Sequence, residues 1–341
     1  MIVIIGATSF IGMYVTEEFL KRGKKVIATG RNPIAGKMLE RMGATFVSMD
    51  ITNEKSMQLL PKNDVEGVIL LAALLPANEA ADLETNENAA EYFRVNVLGT
   101  IHVLEYCRKN NIRKVIGACS YSDVAGAWGK RDPISEDEPR NFSFMGDHAV
   151  YVISKNAAND AMEYYNQQHH MKCAWFRFPQ VYGIGPHDIF YVNGKKRQSG
   201  VYTFIQKARK GEDIEIWGDP HRKRDIVYVK DVAQAYIKAM ENDHVCGMYN
   251  ITGHMQIDIE EQAKAAIKVF GAGKQIRILY RPEKGNGFLP SYLYSIDKAK
   301  RDFGYDPKFK DFISIMEDYK MEMESGRFDR WILSRIQQST E

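Results

Sequence analysis

Met1-Ile-Val-Ile-Ile5 runs directly into Gly6-Ala-Thr-Ser-Phe-Ile-Gly12, so an apolar β-branched run stops at a glycine turn and restarts as an amphipathic helix. Few folds accommodate that join. A strand, a glycine-rich turn and a helix open a βαβ unit, and the same alternation continues through the first half of the chain. It predicts strands over Ile2–Ile5, Lys25–Thr29, Thr45–Ser48, Val68–Leu71, Val115–Cys119 and Cys173–Arg177. Helices fit over Ile11–Arg22, Pro33–Met42, Glu54–Leu60, Asn88–Lys109 and Val150–Gln168. The expected fold class is α/β, a doubly wound parallel sheet with its ligand at the C-terminal strand ends.

Beyond Gly183 the alternation fades, and loops rich in Gly and Pro separate helices such as Val201–Lys210 and Val229–Met240. Residues 1–183 are expected to form a Rossmann domain, whose sheet edge and helices residues 225–252 could complete. Residues 184–320 would form a smaller α/β substrate lobe, and 321–341 a terminal helix or loose tail carrying Trp331, Ile332, Leu333 and Ile336.

Composition narrows the function. Lys and Arg total 46 against 44 Asp and Glu, a net charge of +2 with no like-charge block, which argues against nucleic acid and against an anionic membrane as partner. Cys107, Cys119, Cys173 and Cys246 form no Cys-x-x-Cys pair and read as reduced thiols of a cytoplasmic protein. The apolar start lacks a basic leader, and no run approaches the roughly 18 residues of a membrane span. His148, His169 and His170 have no companions that would complete a metal set, so no metal is expected.

The turn after the first strand suits a dinucleotide. Gly6 permits the tight turn, Gly12 lets helix and strand approach, and the intervening Thr8, Ser9, Phe10 and Ile11 bring helix N–H groups to a pyrophosphate. Ser9 takes the place of the usual middle glycine. At the end of strand two, Arg31-Asn32 stand where a carboxylate would grip the ribose 2′-hydroxyl of NAD. A guanidinium matches a 2′-phosphate instead, so NADP is expected, with NAD as the alternative. Asp50-Ile51 and Leu71-Ala72-Ala73 close strands three and four where adenine and ribose should pass. Further on, Tyr151 and Lys155 lie four apart on a helix, where an ammonium would lower the phenol pKa toward use as an acid/base.

Together these segments, with Asn96-Val-Leu-Gly-Thr100, Arg177-Phe-Pro-Gln-Val-Tyr-Gly183, Arg224-Asp-Ile-Val-Tyr-Val-Lys-Asp231 and Tyr249-Asn-Ile-Thr-Gly253, resemble the extended short-chain dehydrogenase/reductases, specifically the nucleotide-sugar epimerase/dehydratase family. The resemblance implies that Tyr151 exchanges the proton of the oxidised hydroxyl. It also implies that Lys155 binds the nicotinamide ribose, that Asn96 supports the local hydrogen bonds, and that Phe178 and Val181 lie by the nicotinamide. Arg224 would hold the diphosphate of a sugar nucleotide, with Gln180 at the substrate. Family members pair two helices in a bundle, which makes a homodimer through Asn88–Lys109 and Val150–Gln168 the expectation.

Departures from the pattern cluster at Ser120-Tyr-Ser-Asp123. Tyr121 occupies the position of the third catalytic hydroxyl, normally Ser or Thr, leaving Ser120, Ser122 or Tyr121 itself to supply it. Asp123 falls where dehydratases carry an elimination base. Gln180 replaces the usual Asn, and Leu74-Leu75-Pro76 lacks the polar residues common in dehydratases. An epimerase or reductase acting at a sugar hydroxyl, C4 in the family, is favoured on these grounds. The alternatives are a 4,6-dehydratase with Asp123 as base and a non-catalytic NAD(P)-sensing protein of the same fold.

Overall fold

A sheet of 7 parallel strands forms the middle of the computed structural model, which describes residues 1–76, 89–145, 147–192, 195–285 and 290–338. Six strands come from the first half: β1 (Ile2–Ile5), β2 (Val26–Gly30), β3 (Thr45–Ser48), β4 (Gly67–Leu70), β5 (Lys114–Ala118) and β6 (Lys172–Arg177). They lie in the order β3-β2-β1-β4-β5-β6, and Gly247–Asn250 from the second half adds a final strand beside β6. The order reverses between β1 and β4, which opens the ligand crevice of a doubly wound sheet.

β1 shows why an unbroken apolar run belongs at the centre. Ile2 and Ile4 enter the core on one face while Val3 and Ile5 enter the core on the other, the period of two expected of a strand covered on both sides. One face is covered by α1 (Phe10–Lys21) and the other by α4 (Gly99–Lys109) and α5 (Asp147–His169), while α2 (Pro33–Arg41) crosses to β3 and α3 (Ala89–Tyr92) leads into α4. The helix expected from 88 to 109 is interrupted, since Phe93–Leu98 forms a π-helical segment; Asn88 lies outside the described residues. That widened turn carries Asn96, whose backbone carbonyl takes the Thr100 hydroxyl at 2.6 Å. The helix expected at Glu54–Leu60 is a short 3₁₀ turn, Glu54–Leu59, capped by Asn53.

In the second half, β7 (Gln180–Tyr182) precedes a hairpin of β8 (Ile189–Val192) and β9 (Lys195–Gln198). Then come α6 (Gly200–Lys210), β10 (Ile214–Trp217), β11 (Arg224–Tyr228), α7 (Val229–Met240), β12, which is the Gly247–Asn250 edge strand, and β13 (Gln256–Ile257). β11 pairs parallel with β7 and antiparallel with β13, and β10 pairs with β14 (Ile278–Arg281) behind α8 (Ile259–Phe270). After α9 (Asp297–Phe303), the C-terminal residues form α10 (Phe312–Ser325) and α11 (Asp329–Gln338). This end is docked: Trp331 is fully buried, Phe328 packs on Tyr14, and Arg327 donates to Glu17 at 2.7 Å. Among the described residues no helix is long and apolar enough to cross a membrane.

Candidate active site

The crevice begins where β1 meets α1. Gly6 adopts φ +89°, and a Cβ there would stand 2.5 Å from the Ala72 backbone nitrogen, so only glycine lets the turn pass this close to the end of β4. Ser9 is the N-cap of α1, its hydroxyl accepting from the Gly12 N–H at 3.1 Å, which explains how a serine replaces the middle glycine. A cleft of about 380 Å³ collects Gly6, Thr8, Ser9, Arg31, Asn32, Asp50, Ile51, Leu71, Ala72 and Ala73 on one wall. Glu91 and Val95, which carried no motif, also line it. The shape and the glycine cradle fit a dinucleotide.

Arg31 projects from the end of β2 with its side chain 75% exposed and contacts Asp50 at 3.4 Å. Asp50 in turn accepts from the Thr52 N–H and hydroxyl, each at 2.8 Å. Asn32 caps α2 and donates to Ser334 of α11 at 3.2 Å, so the C-terminal helix braces this loop. Phe10 does not line the cleft; its ring stacks on His187 with centroids 3.9 Å apart. Ile11 and Gly12 likewise lie outside that lining, as do Asn96, Phe178 and Val181.

Tyr151 and Lys155 sit on α5. The Tyr151 backbone carbonyl accepts from Ser154, whose hydroxyl accepts from the Asn96 amide at 2.9 Å. Asn96 also bonds both the N–H and the C=O of Leu74, tying the helix to the loop after β4. Here one expectation is corrected: Lys155 does not bring the phenol down. Burial pushes the half-buried Tyr151 phenol up, with Cys119, Tyr121 and Tyr92 adding to the rise, while burial pulls Lys155 down to about 8. Desolvation leads both shifts, and neither group enters the shift of the other.

Asp123 is also corrected. Its carboxylate is fully buried and takes Nε and Nη2 of Arg177 at 3.0 and 2.8 Å, a two-pronged pair that leaves it no reach toward a substrate as an elimination base. Ser120 is buried, caps the Tyr121–Ala127 turn and shares a 2.8 Å hydrogen bond with Ser122. Tyr121 stacks on Trp128, and Trp128 on Tyr292 with centroids 4.6 Å apart. Burial raises the Tyr121 phenol, opposed by the charges of Arg224 and Arg222.

Gln180 and Val181 belong to β7 and pair with Ile226 and Val227, while Phe178 is half-buried in the turn between β6 and β7. Arg224 begins β11 beside Tyr292. Trp128, Tyr292 and Arg222 were missed from sequence. Only Arg222 left a signal there, as the first residue of Arg222-Lys-Arg224. Among the described residues no group of three His, Cys, Asp or Glu could hold a metal ion.

A glycine turn under a doubly wound sheet, with a Tyr and a Lys on the helix beyond the crevice, defines a dinucleotide-dependent oxidoreductase scaffold. The chain belongs to the NAD dependent epimerase/dehydratase family, whose model matches residues 2–252. It is 30% identical over 241 residues to a putative UDP-glucose 4-epimerase of Methanocaldococcus jannaschii, covering 70% of this chain and 73% of that one. A dTDP-4-dehydro-6-deoxy-D-allose reductase of a Streptomyces species is 26% identical, covering 90% of this chain and 91% of the relative. In fold it is similar to the UDP-glucose 4-epimerase of Thermotoga maritima, at 23% identity and TM-score 0.76 over 95% of this chain and 99% of that one.

Proposed function

We propose that the protein transfers a hydride at C4 of a nucleotide-diphosphate sugar, either as an epimerase that oxidises the hydroxyl and returns the hydride to the other face, or as a reductase that delivers hydride from a reduced dinucleotide to a keto sugar. The observation that carries this reading is the Asn96–Ser154 brace, which fixes the helix of Tyr151 and Lys155 against the loop after β4 beside the dinucleotide cleft. The bound nicotinamide supplies the hydride acceptor. Tyr151 takes the hydroxyl proton as the phenolate and, as the phenol that its burial favours, gives a proton to the keto oxygen when the sugar is reduced. Lys155, poised at about 8, supplies positive charge beside that proton transfer near neutral pH. Tyr121 stands in for the small hydroxyl on the opposite wall. The dehydratase alternative loses support because Asp123 is engaged by Arg177.

Incubating the protein with NAD, NADP or their reduced forms and a panel of UDP- and dTDP-sugars and their 4-keto forms tests the proposal, with sugar configuration and cofactor absorbance as readouts. An epimerised or reduced product that Tyr151→Phe lowers about 10²- to 10⁴-fold is expected. A 4-keto-6-deoxy product would reverse the choice against a dehydratase, and no product with any sugar would overturn it.

The exposed Arg31 supports NADP as cofactor, and Arg31→Asp should shift preference toward NAD; tenfold tighter NAD binding by the unaltered protein would overturn this. Residues 1–183 with the β12 edge are taken as the cofactor domain and 184–320 as the substrate lobe. Phe93, Leu98 and Tyr164 are exposed on the α3–α4 and α5 segments and support a homodimer through them, to be checked by light scattering.

A further inference from the structure

Two poorly compensated charges lie at the entrance to β11. Arg222 and Arg224 are two residues apart, a spacing that in extended chain turns both side chains to one face. Each is half-buried, and the Nε of each is out of solvent with no hydrogen-bond partner. Among the described residues neither guanidinium has a carboxylate within ion-pair distance. Burial, then repulsion from Arg224, pulls Arg222 down to about 10, which places the two cations close together. A fold gains nothing from holding two like charges so, unless a ligand answers them.

The surroundings say where such a ligand would run. Tyr121 lies within electrostatic reach of both guanidinia and of Tyr151, and its ring is fixed in the stack with Trp128 and Tyr292. The arginine pair and Tyr151 therefore share Tyr121 as a neighbour.

We propose that Arg222 joins Arg224 in gripping the diphosphate of the substrate, so that two guanidinia answer two phosphate charges. The inference rests on the nucleotide-sugar reading and adds to it a second anchor outside the motif that suggested Arg224. A diphosphate diester carries one charge on each phosphate, which matches the pair; a lone carboxylate would leave one cation buried and unanswered. Bidentate geometry also makes the role one that lysine fills only in part.

Calorimetric titration of the full-length protein with inorganic pyrophosphate, UDP, dTDP and uridine tests this, using the unaltered protein and Arg222→Gln, Arg222→Lys and Arg224→Gln. Arg222→Gln should weaken pyrophosphate and both nucleoside diphosphates about tenfold or more, as loss of a charge-assisted hydrogen bond does. Arg222→Lys should recover part of the loss, and high salt should shrink the difference. Uridine affinity and NADP affinity should not move, which also shows that Arg222→Gln is folded. Unchanged diphosphate binding by Arg222→Gln alongside weakened binding by Arg224→Gln would overturn the role of Arg222 and leave the nucleotide-sugar reading standing. Failure of the unaltered protein to bind pyrophosphate, UDP and dTDP, while it still binds NADP, would overturn both.

Discussion

Arg177 and the Arg222–Arg224 pair are both drawn out of bulk water, yet the chain answers them in opposite ways. Arg177, 2% exposed, is paired two-pronged with Asp123, donates to the Asn250 side chain at 3.1 Å and reaches the Ser135 carbonyl. Arg222 and Arg224 keep unpartnered Nε atoms and, among the described residues, form no ion pair, Asp219 offsetting only part of the charge of Arg222. The first arrangement is complete without any ligand, so it belongs to the architecture; the second is complete only when an anion arrives. Counting partners thus separates a structural guanidinium from a binding one, where residue type and burial alone would not.

The comparison is broken most forcefully at Asp123. Removing one partner of a buried pair strands the other, so Asp123→Ala should lower unfolding free energy by about 3–5 kcal/mol in urea denaturation. A loss below about 1 kcal/mol would mean that the pair is not structural, and would return Asp123 to consideration as a catalytic base.

Lys155 sharpens the contrast next, because it is a buried cation with no hydrogen-bond partner among the described residues and a proposed place in the chemistry. Its folded value of about 8 lies below the ordinary 10.5, so the native state holds this proton less tightly than the unfolded chain does. Stability from this group therefore rises with pH between about 8 and 10.5, and the burial cost is felt in full below pH 8. Lys155→Met should raise stability by roughly 1–3 kcal/mol at pH 7, the gain vanishing above about pH 10.5, while activity is lost. In the unaltered enzyme, steps that need the ammonium should slow as pH rises through about 8. A destabilised Lys155→Met at pH 7 would contradict the assignment.

Asn96 comes third, as a neutral polar group whose bonds are all made within the protein. Asn96→Ala would strand the Leu74 N–H and C=O and release Ser154, at a cost of about 1–2 kcal/mol. If the brace positions α5 for chemistry, kcat should fall more than KM rises; the reverse split would make Asn96 a merely structural residue.

Why some of this was legible in sequence and some was not follows from range. β1, the Gly6 turn and α1 are set by neighbours within a dozen residues, so alternation and turn chemistry find them. The same holds for α7, which begins at Val229 and ends at Met240 as expected. The π-helical segment at Phe93–Leu98 escapes because an apolar pattern cannot report one widened turn inside a helix. Asp123 was misread because its partner lies 54 residues away on β6, and a local motif cannot display a buried ion pair. The direction of the Tyr151 shift was misread for a related reason: the spacing shows that Lys155 is near, but desolvation depends on the packing around both. Trp128 and Tyr292, 164 residues apart, meet Tyr121 only through the fold.

The smallest expected effect is also the sharpest test of the contrast between the two arginine sites. Because Arg222 forms no ion pair among the described residues and repels Arg224, its replacement strands no bonded partner and relieves a like-charge contact. Arg222→Gln should therefore leave stability within about 1 kcal/mol of the unaltered protein, on the stabilising side, whereas Asp123→Ala falls by several times that amount. Thermal unfolding of the two variants side by side, each with and without UDP, makes the comparison. UDP should raise the unfolding temperature of the unaltered protein more than that of Arg222→Gln, since stabilisation by a ligand follows its affinity for the native state. If Arg222→Gln instead unfolds as easily as Asp123→Ala does, the guanidinium is integral to packing, and the distinction between an answered and an unanswered charge fails at the site where it was drawn.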